Sequence, residues 1–497
     1  MGQGSSQLRC GASVWAGMAF VIGSLLIGHI QAAPGTAVAK HAPAAHPARP
    51  DILFVQTLVY VSGPLAQRFP KGSVMARLTS PLHAPVRLTE DFFAAADPQP
   101  NFDATKILFS AQKTQNDRWQ IWEMDLDGSH KRQVTKCTSD CLRGAYLPAD
   151  EIVFTVETTK GKRLVSHLAI VKSDGSNFAP ITFGSAPFEL ETVLRDGRIV
   201  VSAPWPLRGA DETSGSRLLY TLHPDGTSLE SFRCDHGDKA IEADAVELDD
   251  GSVLFVRRAI AGAAAGGALE QVKPGDLHAT PFGNNQAIYE SPRQLSGNEL
   301  VLAKASLTAT NAPGRFDLYL VDRKTGGTNV RLYADATLSS LQPTPVLPHA
   351  IPKHFWNTLN PESSTGNFIS LDSYLSADEA RGRIATPISR IRVLAWNPNT
   401  GQESELGIAP VEADGSFFVQ VSANVPVRFM LLDAKGQVIR EEHGWVWSRP
   451  GEERGCTGCH GDKAIAPENR WPLTLRRFDT PTPLGESEHG PASSQAK

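Results

Sequence analysis

Short apolar runs, each closed by a polar or glycine-containing turn, recur from Ile52 to Val346. They are rich in Val, Ile, Leu and Phe and fit the strands of a turn-rich β protein better than helices. The runs come in pairs. Ile107-Leu108-Phe109-Ser110 leads to Ile121-Trp122-Glu123-Met124 and the turn Asp127-Gly128-Ser129. Ile152-Val153-Phe154-Thr155 leads to Leu168-Ala169-Ile170-Val171 and Asp174-Gly175-Ser176. Ile199-Val200-Val201-Ser202 leads to Leu218-Leu219-Tyr220-Thr221 and Asp225-Gly226-Thr227. The three Asp-Gly turns lie 47 and 51 residues apart, the repeat length of a four-stranded propeller blade. Fainter copies at Ser252 to Val256, Glu299 to Leu302 and Leu318 to Asp322 extend the series to about six blades over residues 51–345. A β-sandwich could use the same two-residue turns, so the repeat length carries the propeller expectation.

After the Pro-rich boundary Gln342 to Pro348 the pattern becomes an alternation of apolar and polar residues. It runs through Arg390 to Trp396, Gly415 to Val421 and Val427 to Asp433. About seven such strands fit into residues 346–447, which predicts a small β-sandwich. From Ser448 the strand pattern is expected to stop, leaving a segment over 448–480 and a disordered tail over 481–497. The fold class expected is therefore all-β, a propeller of about six blades followed by a sandwich. A length of 497 residues with Gly 42 and Pro 35 agrees with several turn-rich β domains.

The net charge of -5 comes from 48 basic and 53 acidic residues mixed along the chain. With no basic stripe, nucleic acid is not an expected partner. The start of the chain reads as an address. A weakly basic stretch, an apolar run from Ala12 to Ile30 and the small-residue site Ala37-Val38-Ala39 predict a signal peptide over 1–39 and a linker over 40–50. The alternative is an uncleaved anchor, since the run could just span a bilayer. No other segment is long and apolar enough to cross. The expectation is a periplasmic protein without a membrane span once the signal is cleaved.

The chemistry concentrates in Cys456-Thr457-Gly458-Cys459-His460. Two thiols three positions apart can add to both vinyl groups on one porphyrin edge, and the adjacent imidazole then lies under the iron. The motif predicts one covalent haem c, attached at Cys456 and Cys459 with His460 on the metal. Trp445, Trp447, Pro467, Trp471, Pro472 and Leu473 around it offer flat apolar surface, or ordinary sandwich core. Met430, His443, His354, His236 and His489 are candidates for the sixth iron position. Cys234-Asp235-His236 is a second cluster, readable as a zinc site or as a buried thiol. Cys137 and Cys141, four apart in an exported chain, are a candidate disulfide. No Gly-x-Ser-x-Gly elbow and no phosphate-cradling glycine loop is present.

The succession of blade repeats, then Ala409-Pro410-Val411-Glu412-Ala413-Asp414-Gly415-Ser416-Phe417, then Trp447-Ser448-Arg449-Pro450-Gly451-Glu452 before the haem motif, resembles the hydrazine synthase α-subunit family. The resemblance implies a six-bladed propeller packed against a haem-bearing middle domain, with the haem at their interface. It also implies a tyrosine on the iron and a zinc site shared by the motif histidine and a propeller cysteine. Here Ala464 stands four residues after His460, and no tyrosine follows the motif. The 37 residues beyond His460 are too few for the second haem domain that the resemblance leads one to expect. The sequence thus points away from a hydrazine synthase and toward a monohaem cytochrome for electron transfer or redox sensing with a partner protein. Two alternatives stand beside it: a haem oxidoreductase acting on a small, nitrogenous or other, molecule at the domain interface, and an envelope binding module in which haem is structural.

Overall fold

Residues 49–485 are described by a computed structural model. Outside the described set are 1–48, 62, 80–82, 161–162, 206–214, 234–238, 261–265, 274–275, 277, 284–286, 306–313, 325–328, 377–381, 399, 443, 459–469, 478–479 and 486–497. The signal-peptide expectation and the tail from 486 lie there, as do most of the linker expected at 40–50 and the candidates Cys234, Asp235, His236, His443, Cys459, His460 and His489.

The paired runs read from the sequence are the second and third strands of propeller blades. Lys106–Gln112 pairs antiparallel with Gln120–Asp125, Glu151–Lys160 with Arg163–Lys172, and Ile199–Pro204 with Arg217–Leu222. Each blade adds an inner strand before this pair and a short outer strand after it. Among the described residues there are six such four-stranded units. The fourth and fifth touch through one parallel pairing, Arg217 with Ile241. The first blade is closed from the far end of the repeat: Ser339–Pro345 pairs with Ile52–Thr57, followed by Val74–Leu78 and Val86–Arg87. Ile107, Phe109, Val153, Phe154, Val201 and Phe255 are fully buried between blades, which is why both faces of these strands are apolar.

The six inner strands are Ala94–Pro100, Asp140–Leu147, Glu189–Val193, Ala240–Glu247, Ile288–Ser296 and Ser339–Pro345. Each touches the next, and together they close a ring. Every one of them is bulged against its neighbour within the blade. At five bulges a non-glycine residue takes positive φ: Asp97 (58°), Arg143 (52°), Asp244 (53°), Ser291 (48°) and Gln342 (51°). A bulge re-aims its residue, here toward the axis. The amides freed from the ladder donate across the ring to the preceding blade. Asp97 N–H reaches Gln342 Oε1 at 2.8 Å and Arg143 N–H reaches Asp97 Oδ2 at 3.2 Å. Asp244 N–H reaches Glu191 Oε2 at 2.7 Å, and Ser291 N–H reaches Asp244 Oδ2 at 3.2 Å. Arg143 adds ion pairs to Glu191 at 3.0 Å and Asp244 at 3.1 Å.

One end of the axis is stoppered by the turn that carries the short helix Leu65–Arg68. The amides of Leu65 and Ala66 donate to Glu157 at 2.9 and 3.1 Å, and Arg68 reaches Glu189 at 3.0 Å. These contacts fall at the beginnings of the inner strands. Their far ends line a cavity described below.

The sandwich has two four-stranded sheets among the described residues. One is ordered Glu453–Cys456, Thr365–Ser370, Phe417–Ser422, Thr482–Pro483; the other is ordered Gln402–Pro410, Arg390–Asn397, Val427–Leu432, Val438–Glu441. Phe368, Ile391, Val393, Val419, Val421, Val427 and Leu431 fill the space between them. The strand pattern therefore does not stop at Ser448. Glu453–Cys456 is an edge strand paired parallel to Thr365–Ser370, and with four residues and no apolar alternation it is invisible to periodicity.

Glu189 sets an acid limit on the ring. Burial pushes its carboxyl up, but Arg217, Arg68 and Arg143 outweigh burial and hold it at about 2, against an ordinary 4.5. A depressed folded-state pKa stabilises the protein above the ordinary value, and that contribution is lost as pH falls through the folded one. Near-ultraviolet circular dichroism during acid titration is therefore expected to keep the propeller signal at pH 4.5 and lose it on approaching pH ~2. A transition already complete at pH ~4 would contradict this assignment.

Candidate functional site

Cys456 ends the edge strand. Its carbonyl accepts from Leu371 N–H at 2.9 Å, and its side chain packs on the sandwich core. It is the free cysteine among the described residues. Burial pushes its thiol up, Arg454 opposes, and Glu442 and Glu452 add to the rise, so the thiol is protonated at neutral pH. Two residues on, Gly458 lies so close to the loop after Thr365–Ser370 that an added Cβ would sit 2.7 Å from Leu375 Cβ. Cys459 and His460 lie outside the described residues.

The chain is held again beyond the motif. Asp414 accepts Ser416 N–H and Oγ–H on Oδ1 at 3.0 and 2.6 Å, which shapes the Glu412 to Ser416 turn. Its other oxygen accepts Leu473 N–H at 2.8 Å, and Ser416 Oγ accepts Thr474 N–H at 3.0 Å. Arg470 donates to Asp414 O at 3.2 Å and Arg477 pairs with Glu412 at 2.7 Å. The Glu-Ala-Asp-Gly-Ser turn picked out of the sequence is thus the clasp for the segment that follows the haem motif.

Upstream, the approach to the motif is a joint with the propeller. Trp447 is fully buried among Phe183, Phe188 and Leu229 of the third and fourth blades, and its Nε1–H donates to Gly226 O at 3.1 Å. Arg449 Nε donates to Asp225 O at 2.7 Å, Nη1 donates to Asn424 Oδ1 at 2.6 Å, and the guanidinium lies 5.0 Å over Phe183. Glu452 accepts Arg449 N–H at 2.7 Å and fixes the turn between them. Arg454, two residues before Cys456, donates to Trp447 O and Leu229 O, both at 2.8 Å. Gly226 has φ +83°, and a Cβ there would lie 2.2 Å from Ile181 O, so the blade-four turn requires glycine at the point where the joint forms.

Of the aromatic candidates, Trp447 belongs to the propeller core and Trp445 packs on Trp396 at 5.6 Å beneath Arg428. Trp471 stays 63% exposed. Met430 alternates with the core residues Phe429 and Leu431 and lies on the strand face away from the sandwich interior. His354 sits in the exposed linker, edge-on to Trp356 at 5.1 Å. Cys137 and Cys141 are joined by a disulfide across the step from the second blade to the third. Among the described residues no group of three His, Cys, Asp or Glu side chains is placed to hold a metal, and no helix is long and apolar enough to cross a membrane.

With this geometry in view, residues 375–461 match the family model "Hydrazine synthase alpha subunit middle domain". Over that stretch the chain is similar to the middle domain of the hydrazine synthase alpha subunit. It is 21% identical over 536 residues to hydrazine synthase subunit alpha of Kuenenia stuttgartiensis, covering 82% of this chain and 66% of that protein. It thus spans just under two thirds of the length of that relative. The solved Kuenenia stuttgartiensis hydrazine synthase superposes with a TM-score of 0.76 at 18% identity, over 86% of this chain and 71% of that one. TolB from Acinetobacter baumannii matches at a TM-score of 0.42 and 15% identity, over 61% of this chain and 67% of that one. The matched middle domain of this hydrazine synthase alpha-like chain includes the Glu412 to Ser416 clasp, the Trp447 joint and the haem motif.

The joint has a direct test. Trp447→Ala is expected to cost about 3–5 kcal/mol and to make the linker between propeller and sandwich cleavable in limited proteolysis. Trp447→Phe, which keeps the apolar contact and loses one hydrogen bond, is expected to cost only about 1 kcal/mol. Equal protease resistance of Trp447→Ala and wild type would show that the joint lies elsewhere.

Proposed function

We propose that this chain is an exported c-type cytochrome on a propeller scaffold, with one haem attached through Cys456 and Cys459 and with His460 as its axial ligand. Its role is electron transfer or redox sensing toward a periplasmic partner protein. The observation that carries the reading is Cys456, the free cysteine among the described residues, at the end of an edge strand, with Gly458 two residues on where there is no room for a side chain. A thiol, a glycine spacer, a second thiol and an imidazole are the donor set that c-type haem requires.

When bound, the haem would supply one-electron exchange at a potential set by its axial ligands and burial. The protein's own residues do the positioning. The pairing of Ser370 with Cys456 and the amide of Leu371 hold the entry of the attachment segment, and Asp414 and Ser416 hold its exit. Trp447, Arg449 and Arg454 seal the side facing blade four. An attachment site held at both ends and backed by a propeller suits a centre whose surroundings must not reorganise as charge changes.

A second reading is an oxidoreductase acting on a small molecule. It is favoured by the bond from Arg454 to Leu229, which ties the strand leading to the haem motif to the chain leading to Cys234, Asp235 and His236. Zinc held by those residues would belong to this reading.

Production with cytochrome c maturation machinery tests the proposal. The expected result is a mass increase of one haem that survives denaturation, a c-type pyridine haemochrome spectrum, and complete loss of covalent haem in Cys456→Ala/Cys459→Ala. Wild-type protein that leaves the same cells without covalent haem sinks it. Rapid carbon monoxide binding to the reduced protein would shift the choice to the small-molecule reading.

A further inference from the structure

The propeller axis holds a cavity of about 480 Å³ at the end opposite the Leu65–Arg68 stopper. Its roof is the linker between the domains. Residues Leu347, Pro348, His349, Ala350 and Pro352 all line it, and the strap is pinned on both sides of the axis. His349 N–H donates to Phe102 O at 2.9 Å beside blade two, and Lys353 N–H donates to Arg195 O at 2.9 Å on blade four. Gly197 allows the second pin, since a Cβ there would lie 2.2 Å from Lys353 O.

The polar groups facing this space are unequally satisfied. The carboxylates of the ring already have donors. Asp97 accepts from Gln342 Nε2 at 2.7 Å and Ser110 Oγ at 2.7 Å. Glu191 accepts from Arg143, Ser202 and the Asp244 amide, and Asp244 accepts from Arg143 and Ser291. Two guanidinium groups are not so supplied: the exposed Arg195 at the rim, which makes one hydrogen bond, to Asp249 O at 2.8 Å, and Arg293 at the axis. Among the described residues the Arg293 guanidinium makes one hydrogen bond, from Nη1 to Pro292 O at 2.9 Å, and no ion pair. A guanidinium has five N–H donors, so most of its fork is unused. Burial and the neighbouring Arg143 lower its pKa, and the nearby carboxylates Asp244, Glu191 and Asp97, none of them in an ion pair with it, only partly oppose this. With spent acceptors and spare donors, the site selects an anion. The size of the cavity and its apolar walls at Pro98, Leu190, Val246, Leu295 and Leu347 call for an organic body rather than a bare inorganic ion.

We propose that this axial cavity binds a small organic carboxylate, gripped by Arg293 beneath the linker strap. The planar fork matches a carboxylate in bidentate geometry. No described residue of the haem segment lines this cavity, and the proposal stands whether or not the haem reading does.

Isothermal titration calorimetry on the full-length chain as purified tests it, with succinate, glutarate and benzoate as probes, succinamide as uncharged control and inorganic phosphate as competitor. At least one carboxylate is expected to bind saturably at one site, succinamide is not, and Arg293→Gln should weaken binding about tenfold or more. Arg293→Lys, which keeps the charge and loses the fork, should fall between the two. Circular dichroism of both variants separates loss of binding from loss of fold. The proposal is overturned if no carboxylate binds wild type more tightly than Arg293→Gln, or if phosphate binds as tightly as the best carboxylate.

Discussion

Everything in the propeller leans on the exchange of hydrogen bonds around its axis. An inner strand facing a channel has no further strand to pair with, and its amides would be left over. Here each inner strand is bulged, and four of the freed amides donate to a side chain of the preceding blade. The left-handed conformation costs each non-glycine residue of order 1 kcal/mol or more, and the circular bonding offsets it. The interaction also fixes which residue types can stand there: an acceptor side chain must follow an αL amide around the circle. That condition holds Gln342, Asp97, Glu191 and Asp244 in place.

The joint to the sandwich follows from the same repeat. Blade four ends its third strand in the turn Asp225-Gly226-Thr227, like blades two and three with Asp127-Gly128 and Asp174-Gly175. In this blade the turn's carbonyls are taken by Trp447 and Arg449. A loop generic to the repeat has become the seat of a second domain, and the residues that seat it are the ones immediately before the haem motif. The Trp447 to Arg454 stretch is thus an adapter between the propeller scaffold and the segment that carries Cys456.

Legibility in the sequence tracked how many faces of an element are apolar. The second and third strands of the blades are buried on both sides and stood out as runs such as Ile107 to Phe109. The inner strands did not, because one edge faces a polar axis; Ala94–Pro100 reads Ala-Ala-Ala-Asp-Pro-Gln-Pro. A signal was present in the polar residue followed by proline at Asp97-Pro98, Ser291-Pro292 and Gln342-Pro343, which recurs in three blades at the bulge. Glu453–Cys456 was read as the end of β structure because a short parallel edge strand needs no alternation. Arg293 was missed for a different reason. A cation without a partner is a property of three-dimensional neighbours, and no spacing encodes it.

The pairing of Ile52–Thr57 with Ser339–Pro345 has a consequence for how the molecule comes into being. The first described strand of the propeller must wait for the last one before its blade is complete. Until then it presents an open edge of unpaired backbone N–H and C=O groups beside the apolar run Ile52 to Val55, the kind of surface that recruits other chains. Loop-closure entropy grows only slowly with length, so the finished latch is affordable, but contacts this distant in sequence slow its formation. The nascent protein therefore passes through a long interval as an unclosed ring, and its safe arrival depends on whatever shields that one edge.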